Sequence, residues 1–564
     1  MPELHYNPEQ VDALLAAAPA GSAVHLVGAG GCGMSGLGHL LLDLGFRVSG
    51  SDVARNDEVR DLEARGARIH QGHDGEHLTA AHPVLVVYSS AIRTHNPELE
   101  AAERTHVPIV KRAVLLAALM RRKRGICVAG MHGKTTTSAL LAFALERLGA
   151  NPGYAIGARV PQLPVHARFI APDDEKPGWF VVEADESDGT LCEFSPAHAI
   201  VLNVDAEHLD YYANLDSICG EFERFGNRTS EGLVFCADDG RLAELYSRRP
   251  SAVSYGYHPL ATYRIEPGHG GDGSGAGSSF RLRLGGELLG EFRIALIGEK
   301  NVSNAAAVIA LLHRSGYPVQ AIARAIAEFR GAARRQQELF ADDRHRVYDD
   351  YGHHPTEIEA TLMALRGHRL RRLLVAFQPH RFSRTRHLLP KFAGCFRQAD
   401  RLWITEVYAA SEEVTADATG SVLAEAVRGS GQAVEYVRDV SALPQRLREA
   451  MHPGDTVVFM GAGDITESAH RLAGWLKEEV KSPLEELEGT LSARLSREAV
   501  LRINEPLARR TTLRVGGNAD LYLEPASEAD LAGALRFCSE RGIPFVMLGR
   551  GSNLLIRDGG IRGL

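Results

Sequence analysis

The sequence predicts an α/β chain of three domains in series, followed by a short α+β segment. Three observations carry this. An apolar run, Ile126-Cys-Val-Ala129, enters the turn Gly130-Met-His-Gly-Lys-Thr-Thr-Thr137, and helical patterning follows from Ser138 to Leu148 before Gly149. Earlier, a strand from Ala23 to Val27 feeds Gly28-Ala-Gly-Gly-Cys-Gly-Met-Ser-Gly36, a helix from about Leu37 to Leu44, and a second strand from Phe46 to Gly50 that ends in Ser51-Asp52. Short apolar runs then alternate with helical stretches as far as about residue 480. Strand–turn–helix repetition of this kind builds parallel sheets. At 564 residues the chain has room for about three to four domains.

The first block, residues 1–124, has the plan of a Rossmann-like fold: a glycine-rich turn ends the first strand and an acid, Asp52, follows the second. Further βα units follow at Pro83 to Tyr88 and Ala113 to Met120, and Arg121-Arg-Lys-Arg124 closes the block as a solvated charge cluster. The second block, residues 125–330, opens on the glycine-bounded turn. Gly130 and Gly133 let the backbone curl so that its N–H groups and the next helix N-terminus face an anion. Lys134 is then expected on the outer phosphates and the Thr135 hydroxyl on Mg²⁺, in the short form Gly-x-x-Gly-Lys-Thr. The consequence is ATP or GTP binding.

Two strands behind this loop, 179–184 and 198–204, end in polar groups, where an α/β sheet presents ligands. The first delivers Glu183, Asp185, Glu186 and Asp188; the second delivers Asn203, Asp205, Glu207, His208 and Asp210. Phosphate-bridging Mg²⁺ takes hard ligands and keeps several waters, so Glu183 with Thr135 would hold one ion and His208 another. The Gly/Ser-rich stretch 269–279 reads as a hairpin tip between antiparallel strands, and helices are expected from Asn301 to Leu312 and from Val319 to Phe329.

The third block, residues 331–480, has apolar strands at Leu373 to Gln378, Arg401 to Thr405 and Thr456 to Met460. Its cations cluster in three places: Arg334-Arg335 at the block boundary, Asp349-Asp-Tyr-Gly-His-His354 after a short strand, and His380-Arg381-Phe-Ser-Arg384-Thr-Arg386 after another. Arginine forks pair with a small carboxylate substrate while imidazole and phenol orient its amine. Residues 481–500 form a charged, partly helical connector, and 501–564 is too short to carry much of a core by itself.

Composition narrows the function classes. A net charge of −8 argues against a surface-wide nucleic-acid site. The seven cysteines are scattered without a Cys-x-x-Cys, which favours buried thiols over disulfides or zinc. Met1-Pro-Glu-Leu-His lacks a basic segment leading an apolar core, and no apolar run approaches the ~18 residues that span a bilayer, so a cytoplasmic chain is expected.

Six ordered segments resemble the Mur ligase family over roughly the first 480 residues: His25–Gly36, Ser89-Ser-Ala-Ile92 with Asn96-Pro97, Gly130–Thr137, Glu183-Ala-Asp-Glu-Ser-Asp188, Asp349–Pro355 and Phe377–Arg386. The resemblance implies that the first block binds UDP-N-acetylmuramate through Gly28, Gly30, Gly31, Gly33, Ser35, Asp52, His73, Ser90 and Arg112. It puts ATP on Gly130, His132, Gly133, Lys134, Thr135 and Thr136, with Asn301 and Asn304 near the adenine and Asp350 alongside. It brings Arg335, Tyr351, His353, His380, Arg381 and Arg384 towards ATP and an acceptor amino acid, L-alanine, with Lys134, His353 and these three arginines in catalytic roles. Two departures from the family pattern, Met131 for Thr and Glu207 for Asp before His208, remove no metal ligand or phosphate contact. Rival readings are a ligase that adds a preformed peptide to the same sugar nucleotide, a flavin-dependent reductase, and a non-catalytic nucleotide-binding module.

The tail is similar to the start of the UDP-N-acetylenolpyruvoylglucosamine reductase family in Asn504–Gly517 and Leu548-Gly-Arg-Gly-Ser-Asn-Leu-Leu-Ile-Arg-Asp558. That likeness implies FAD contacts at Gly549, Gly551, Ser552 and Asn553. The chain stops at Leu564, inside what would be the flavin-binding domain, so the expectation is a ligase–reductase fusion whose reductase half, with its NADP chemistry, is incomplete here.

Overall fold

The structure is a computed structural model that describes every residue except 1–5, 93–94, 171–177, 206–210, 269–276, 343, 368–370, 411, 480–482, 550–553 and 558. It divides into two units, Met1–Ala469 and His470–Leu564.

The first sheet of the larger unit holds β1 (Ala23–Val27), β2 (Arg47–Asp52), β3 (Arg68–Gln71), β4 (Pro83–Tyr88) and β5 (Ile109–Lys111), all parallel, in the order β3-β2-β1-β4-β5. Strand order reverses at β1, which opens a crevice beyond the C-terminal ends of β1 and β4. The helix of the glycine-rich turn starts at Cys32, five residues before the sequence suggested. Its three glycines score poorly as helix formers, but the buried face of the helix outweighs their propensity.

The second sheet holds β6 (Arg124–Ala129), β7 (Gly153–Ala155), β8 (Ala167–Arg168), β9 (Trp179–Glu183), β10 (His198–Val201), β11 (Gly232–Cys236), β12 (Ala252–Gly256), β13 (Tyr263–Pro267), β14 (Ser278–Leu284) and β15 (Glu287–Ile294). Their order is β15-β14-β13-β12-β11-β10-β6-β9-β7-β8, with β6 flanked by two parallel neighbours. β13 and β14 pair antiparallel as predicted; the tip between them lies outside the described residues apart from its ends. β10 stops at Val201, so Asn203 and Asp205 lie on the following loop rather than on the strand. The helix of the phosphate loop begins at Lys134 instead of Ser138, capped by Gly133 at φ +90°. Three successive β-branched threonines hide this helix start from a propensity reading.

The third sheet holds β16 (Gln337–Ala341), β17 (His345–Asp350), β18 (Leu373–Phe377), β19 (Arg401–Thr405), β20 (Val434–Val437) and β21 (Asp455–Met460), in the order β16-β17-β21-β18-β19-β20. β16 is its antiparallel edge, and the rest are parallel. The first two sheets and their helices share one apolar cluster, which holds Leu116 and Met120 of the first block with Ile126, Cys127 and Val128 of the second. The third sheet has its own, around Ile358, Phe377, Phe392, Ile404 and Val458. The helices Lys134–Arg147 and Glu299–Arg314 pack through residues buried along most of their length, and Phe143 meets Phe329 at 5.6 Å between ring centres.

The Arg121–Arg124 cluster is not solvated as a group. Arg122 Nε bonds Asp12 at 2.6 Å, Lys123 is 9% exposed with its ammonium over the Phe169 ring, and Arg124 stacks on Trp179 and pairs with Glu231. Long cationic stems cover apolar surface, and here opposite charges meet their heads. All seven cysteines are free thiols, and no described helix is long and apolar enough to cross a membrane.

In the smaller unit, β22 (Val500–Pro506) and β23 (Asn518–Glu524) form an antiparallel pair, with helices at Pro483–Ser492 and Glu528–Arg541. Its apolar contacts fall into two small groups, one around Leu491, Phe537 and Cys538, the other around Leu507, Ala519 and Ile556. Phe545, Val546, Met547 and Leu555 stay largely exposed, as the short length foretold.

Because Phe143 is 1% exposed behind the phosphate loop, Phe143→Ala should cost about 3–5 kcal/mol through the cavity it leaves. A fall of several degrees in the melting temperature checks this; an unchanged value would overturn the packing described.

Candidate active site

The phosphate loop is built by backbone geometry that side chains restrict. Gly130 (φ +131°) and Gly133 (φ +90°) lie in the left-handed half of backbone space, and a Cβ on Gly133 would meet Asn304 Oδ1 at 2.8 Å. From the β10 loop, Asn203 Oδ1 accepts the His132 N–H at 2.8 Å while its Nδ2 donates to the His132 carbonyl at 2.9 Å. A single side-chain amide thus fixes the middle of the loop.

Lys134 Nζ donates to the Gly130 carbonyl at 2.7 Å and to both carboxylate oxygens of Glu186 at 2.8 and 2.9 Å. Glu186 is fully buried. Burial opposes the charge on Lys134, but the Glu186 and Asp185 carboxylates outweigh it and hold the ammonium above its ordinary pKa. Thr135 Oγ1 donates to Glu183 Oε1 at 3.0 Å, and Glu183 Oε2 accepts the Gly157 N–H at 2.9 Å. A hydroxyl and a carboxylate oxygen side by side are hard ligands of the kind Mg²⁺ takes, so Thr135 and Glu183 fit that ion. His208, the other expected ligand, lies outside the described residues.

These groups line a cleft of about 620 Å³ to which all three blocks contribute. The first block supplies Gly31, Gly33, Ser89 and Arg112; the second supplies Gly133, Lys134, Thr135, Glu183 and Asp185; the third supplies Arg335, Tyr351, His353 and Arg384. Arg112 lies against Gly33, where a Cβ would meet its Nη1 at 3.0 Å, and bonds Asp185 at 3.2 Å. Burial pushes the Asp185 carboxyl up, but Lys134 and Arg112 pull it down to about 2. Arg335 Nη2 reaches Thr135 Oγ1 at 3.5 Å, and Arg334 and Arg335 each sit 5.0 Å from the centre of the Tyr351 ring. His353 Nδ1 lies 3.0 Å from the Tyr351 carbonyl, which can only accept, so Nδ1 carries the proton and Nε2 the lone pair. Burial holds the His353 pKa down to about 3, with Arg384 and His380 assisting against Glu357.

A second, smaller cavity of about 80 Å³ lies behind the loop, lined by His132, Gly133, Thr136, Asn301, Asn304 and Asp350 among others. Burial pushes the Asp350 carboxyl up to about 6, against Arg335 and the backbone N–H groups of Gln336 and Gly352, each at 2.8 Å. Asn301 Nδ2 donates to the Ile297 carbonyl at 2.9 Å and to Gln336 Oε1 at 3.1 Å.

Other expected contacts stand elsewhere. In the first block, Gly28 (φ +84°) turns the chain beside Ser89 and Ile92, and Asp52 accepts the Gly30 N–H at 2.7 Å, shaping the turn from beneath. His73 bonds Ser51 Oγ at 2.8 Å and Glu98 at 3.1 Å, outside the cleft lining. Ser35 is fully buried, with its hydroxyl bonded to Glu58 and His166 at 3.1 Å each, so it joins the first and second blocks rather than facing the cleft. Ser90 points to solvent, and Ser89 lines the cleft in its place; the turn after β4 exchanges the two. In the third block, His380 stacks on Tyr408 and bonds Arg384 at 3.2 Å, while Arg381 holds a φ of +68° at the start of the helix Phe382–Phe392 and is not among the residues lining the cleft. Sequence reasoning missed Glu186 and Glu357. The first sat among four acids with nothing to distinguish it, and the second reads as an ordinary helix-capping glutamate.

A phosphate loop, an acid-and-hydroxyl pair beside it, and a cationic loop from a third α/β domain define a nucleotide-dependent enzyme of three domains. The Mur ligase catalytic-domain model matches residues 23–124, the Mur ligase middle-domain model 128–312, and the Mur ligase glutamate-ligase-domain model 334–463. The chain belongs to the Mur ligase family. It is 42% identical over 458 residues to a UDP-N-acetylmuramate–L-alanine ligase of Myxococcus xanthus, covering 80% of this chain and 95% of that one. The same-named protein of Geobacter sulfurreducens is 41% identical over 461 residues, covering 81% and 98%. Among solved structures, the UDP-N-acetylmuramate-alanine ligase MurC of Thermotoga maritima superposes with a TM-score of 0.69 at 29% identity, over 81% of this chain and 99% of that one. A murein peptide ligase of Psychrobacter arcticus shares the fold, with a TM-score of 0.61 at 23% identity, over 81% of this chain and 99% of that one.

Removing the cation beside a fully buried carboxylate has a predictable sign. In Lys134→Ala, Glu186 should keep a proton that the unfolded chain loses above its ordinary pKa, so stability falls as pH rises. Melting temperatures between pH 5 and 8 should decline more steeply for the variant than for the wild type; parallel curves would overturn this.

Proposed function

We propose that this chain joins L-alanine to UDP-N-acetylmuramate with cleavage of ATP to ADP and phosphate. The carrying observation is that Lys134 and Thr135, Arg112 of the first block, and Tyr351, His353 and Arg384 of the third line one cleft. The names of the relatives support the choice of substrates.

In this reading the backbone N–H groups from Gly130 to Thr135 cradle the ATP phosphates, and Lys134 shifts from Glu186 towards the γ-phosphate. Arg335, already 3.5 Å from Thr135 Oγ1, reaches the same group from the third block. Mg²⁺, when bound at Thr135 and Glu183, supplies neutralising charge for the phosphates. Gly31, Gly33 and Arg112 hold the sugar nucleotide so that its muramyl carboxylate faces the γ-phosphorus. The carboxylate oxygen bonds to that phosphorus as the bond to ADP breaks. The amine of L-alanine, its carboxylate held by Arg384, then attacks the acyl carbon and phosphate leaves. His353, neutral with its Nε2 lone pair available, orients the amine by accepting a hydrogen bond from it, and the departing phosphate carries away the proton that the amine sheds. Closure of the third block excludes water that would hydrolyse the acyl phosphate. Substrates of this kind place the chain in the cytoplasm.

We also propose that residues 501–564 belong to a flavin-binding domain like that of UDP-N-acetylenolpyruvoylglucosamine reductase. Besides the two quoted motifs, the smaller unit has a cavity of about 410 Å³ lined by Leu507, Arg510, Tyr522, Leu548 and Gly549. Its apolar walls and one arginine suit a ring system carried on a phosphate; Gly551, Ser552 and Asn553 lie outside the described residues. A chain that carries the complete reductase half should bind FAD and turn yellow; one that stays colourless with added FAD would overturn this part.

Phosphate release from ATP and Mg²⁺ with UDP-N-acetylmuramate should require L-alanine and fall at least about 100-fold in Lys134→Ala. Release with a preformed tripeptide instead would reassign the acceptor; no release with either would leave a nucleotide-binding role.

A further inference from the structure

Glu357 stands at the third position of the helix Pro355–Arg366, where a glutamate caps its own helix. The capping bonds are present: Oε2 accepts the His353 N–H at 3.2 Å and the His354 N–H at 3.4 Å. Capping does not require what the other oxygen does. Oε1 lies 3.3 Å from Nδ1 of His132, in the phosphate loop, and 3.9 Å from Arg335 Nη1. The side chain is 15% exposed and borders both the cleft and the smaller cavity behind the loop. One carboxylate therefore joins the phosphate loop, the boundary arginine and the loop that carries Tyr351 and His353.

The groups on either side make this more than a packing contact. Asn203 fixes the His132 backbone, so the remaining freedom of that residue is the rotation of its ring, which Glu357 sets at Nδ1 while Asp205 lies 3.8 Å from Nε2 and the His354 ring packs alongside. Burial works against ionisation of Glu357, yet the His132 hydrogen bond and the Arg335 charge hold its pKa well below the ordinary range. The carboxylate is thus a charged acceptor across working pH, and charge-assisted bonds are the strong ones. The third block's apolar core takes in Ile297 of the second block, and beside that one apolar join its placement over the phosphate loop draws on polar joins of this kind.

We propose that Glu357 is a positioning residue that couples the nucleotide loop to the acceptor loop through His132, so that nucleotide and acceptor amino acid favour each other's binding. This rests on the ligase reading for the identity of the acceptor. A coupling of this kind is reciprocal by linkage.

The test is a double-mutant cycle on the whole chain with His132→Asn, Glu357→Gln and the pair. Calorimetric titration with a non-hydrolysable ATP analogue and Mg²⁺ reads the nucleotide, and the KM for L-alanine reads the acceptor side. Each single variant should weaken the analogue about tenfold, and the pair should be no weaker than the worse single variant. His132→Asn, which leaves the helix cap intact, should also raise the KM for L-alanine several-fold although His132 belongs to the phosphate loop. Additive losses in the pair would overturn the proposal. So would a His132→Asn effect confined to the nucleotide, a result that stands even if Glu357→Gln folds poorly. Wild-type chain without L-alanine-dependent phosphate release would sink the ligase reading and with it the identity of the acceptor, while additive losses in the analogue titrations would still overturn the coupling of His132 to Glu357.

Discussion

The structure depends on keeping a curl of backbone N–H donors open at the end of a buried strand. β6 runs between β10 and β9 with apolar residues on both faces, so its end cannot move without moving the centre of the sheet. Two positive-φ glycines turn the chain there, and the helix from Lys134 carries it away through a face of residues that are almost wholly buried. Asn203 bridges both backbone groups of His132 and holds the turn in shape. Orphan N–H groups at a helix start are ordinarily a liability; aimed at a cleft and held rigidly, they become an anion site.

That site forces an electrostatic arrangement around it. A lysine this deep in the cleft needs a partner for its charge, and Glu186 provides one from within the wall. Arg112 is matched by Asp185. Both pairs place the acid on the segment after β9, so one strand end balances cations from the first and second blocks. Thr135 and Glu183 complete the set with a hydrogen bond whose two oxygens can turn to a metal. The charges are paired within the cleft walls, which makes them exchangeable when a polyanion arrives.

Much of this was legible in the sequence because it rests on local patterns. β1, β4 and β19 begin and end where apolar runs do. Gly130, Gly133, Lys134 and Thr135 announce themselves by spacing, and Arg335, Tyr351 and His353 by their density after short strands. What stayed hidden depends on which way a side chain turns. Ser89 and Ser90 are identical in sequence terms, and only the turn after β4 decides which faces the cleft. Ser35 lies in the glycine-rich motif, yet its hydroxyl is taken by Glu58 and His166, a pairing across 131 residues that no motif reports. Helix starts were misjudged wherever glycine or threonine lowered propensity while burial raised stability, as at Cys32 and Lys134.

Separate cores explain how one cleft can both bind and release three reactants. The first two blocks share a continuous apolar cluster, which fixes Arg112 and Gly33 relative to the phosphate loop. The third block's cluster takes in only Ile297 from the second block, and the third block meets the loop through Arg335, Glu357 and the Tyr351–His354 segment. A broad apolar join at that boundary, extending beyond Ile297, would hold the cleft in one state, because burial is non-directional and large. Charged hydrogen bonds to groups that also touch the nucleotide loop are different: their strength depends on where His132 and Thr135 sit, and so on what the loop holds. The join most sensitive to the state of the loop is thereby the one that positions the block carrying Tyr351, His353 and Arg384 into the cleft.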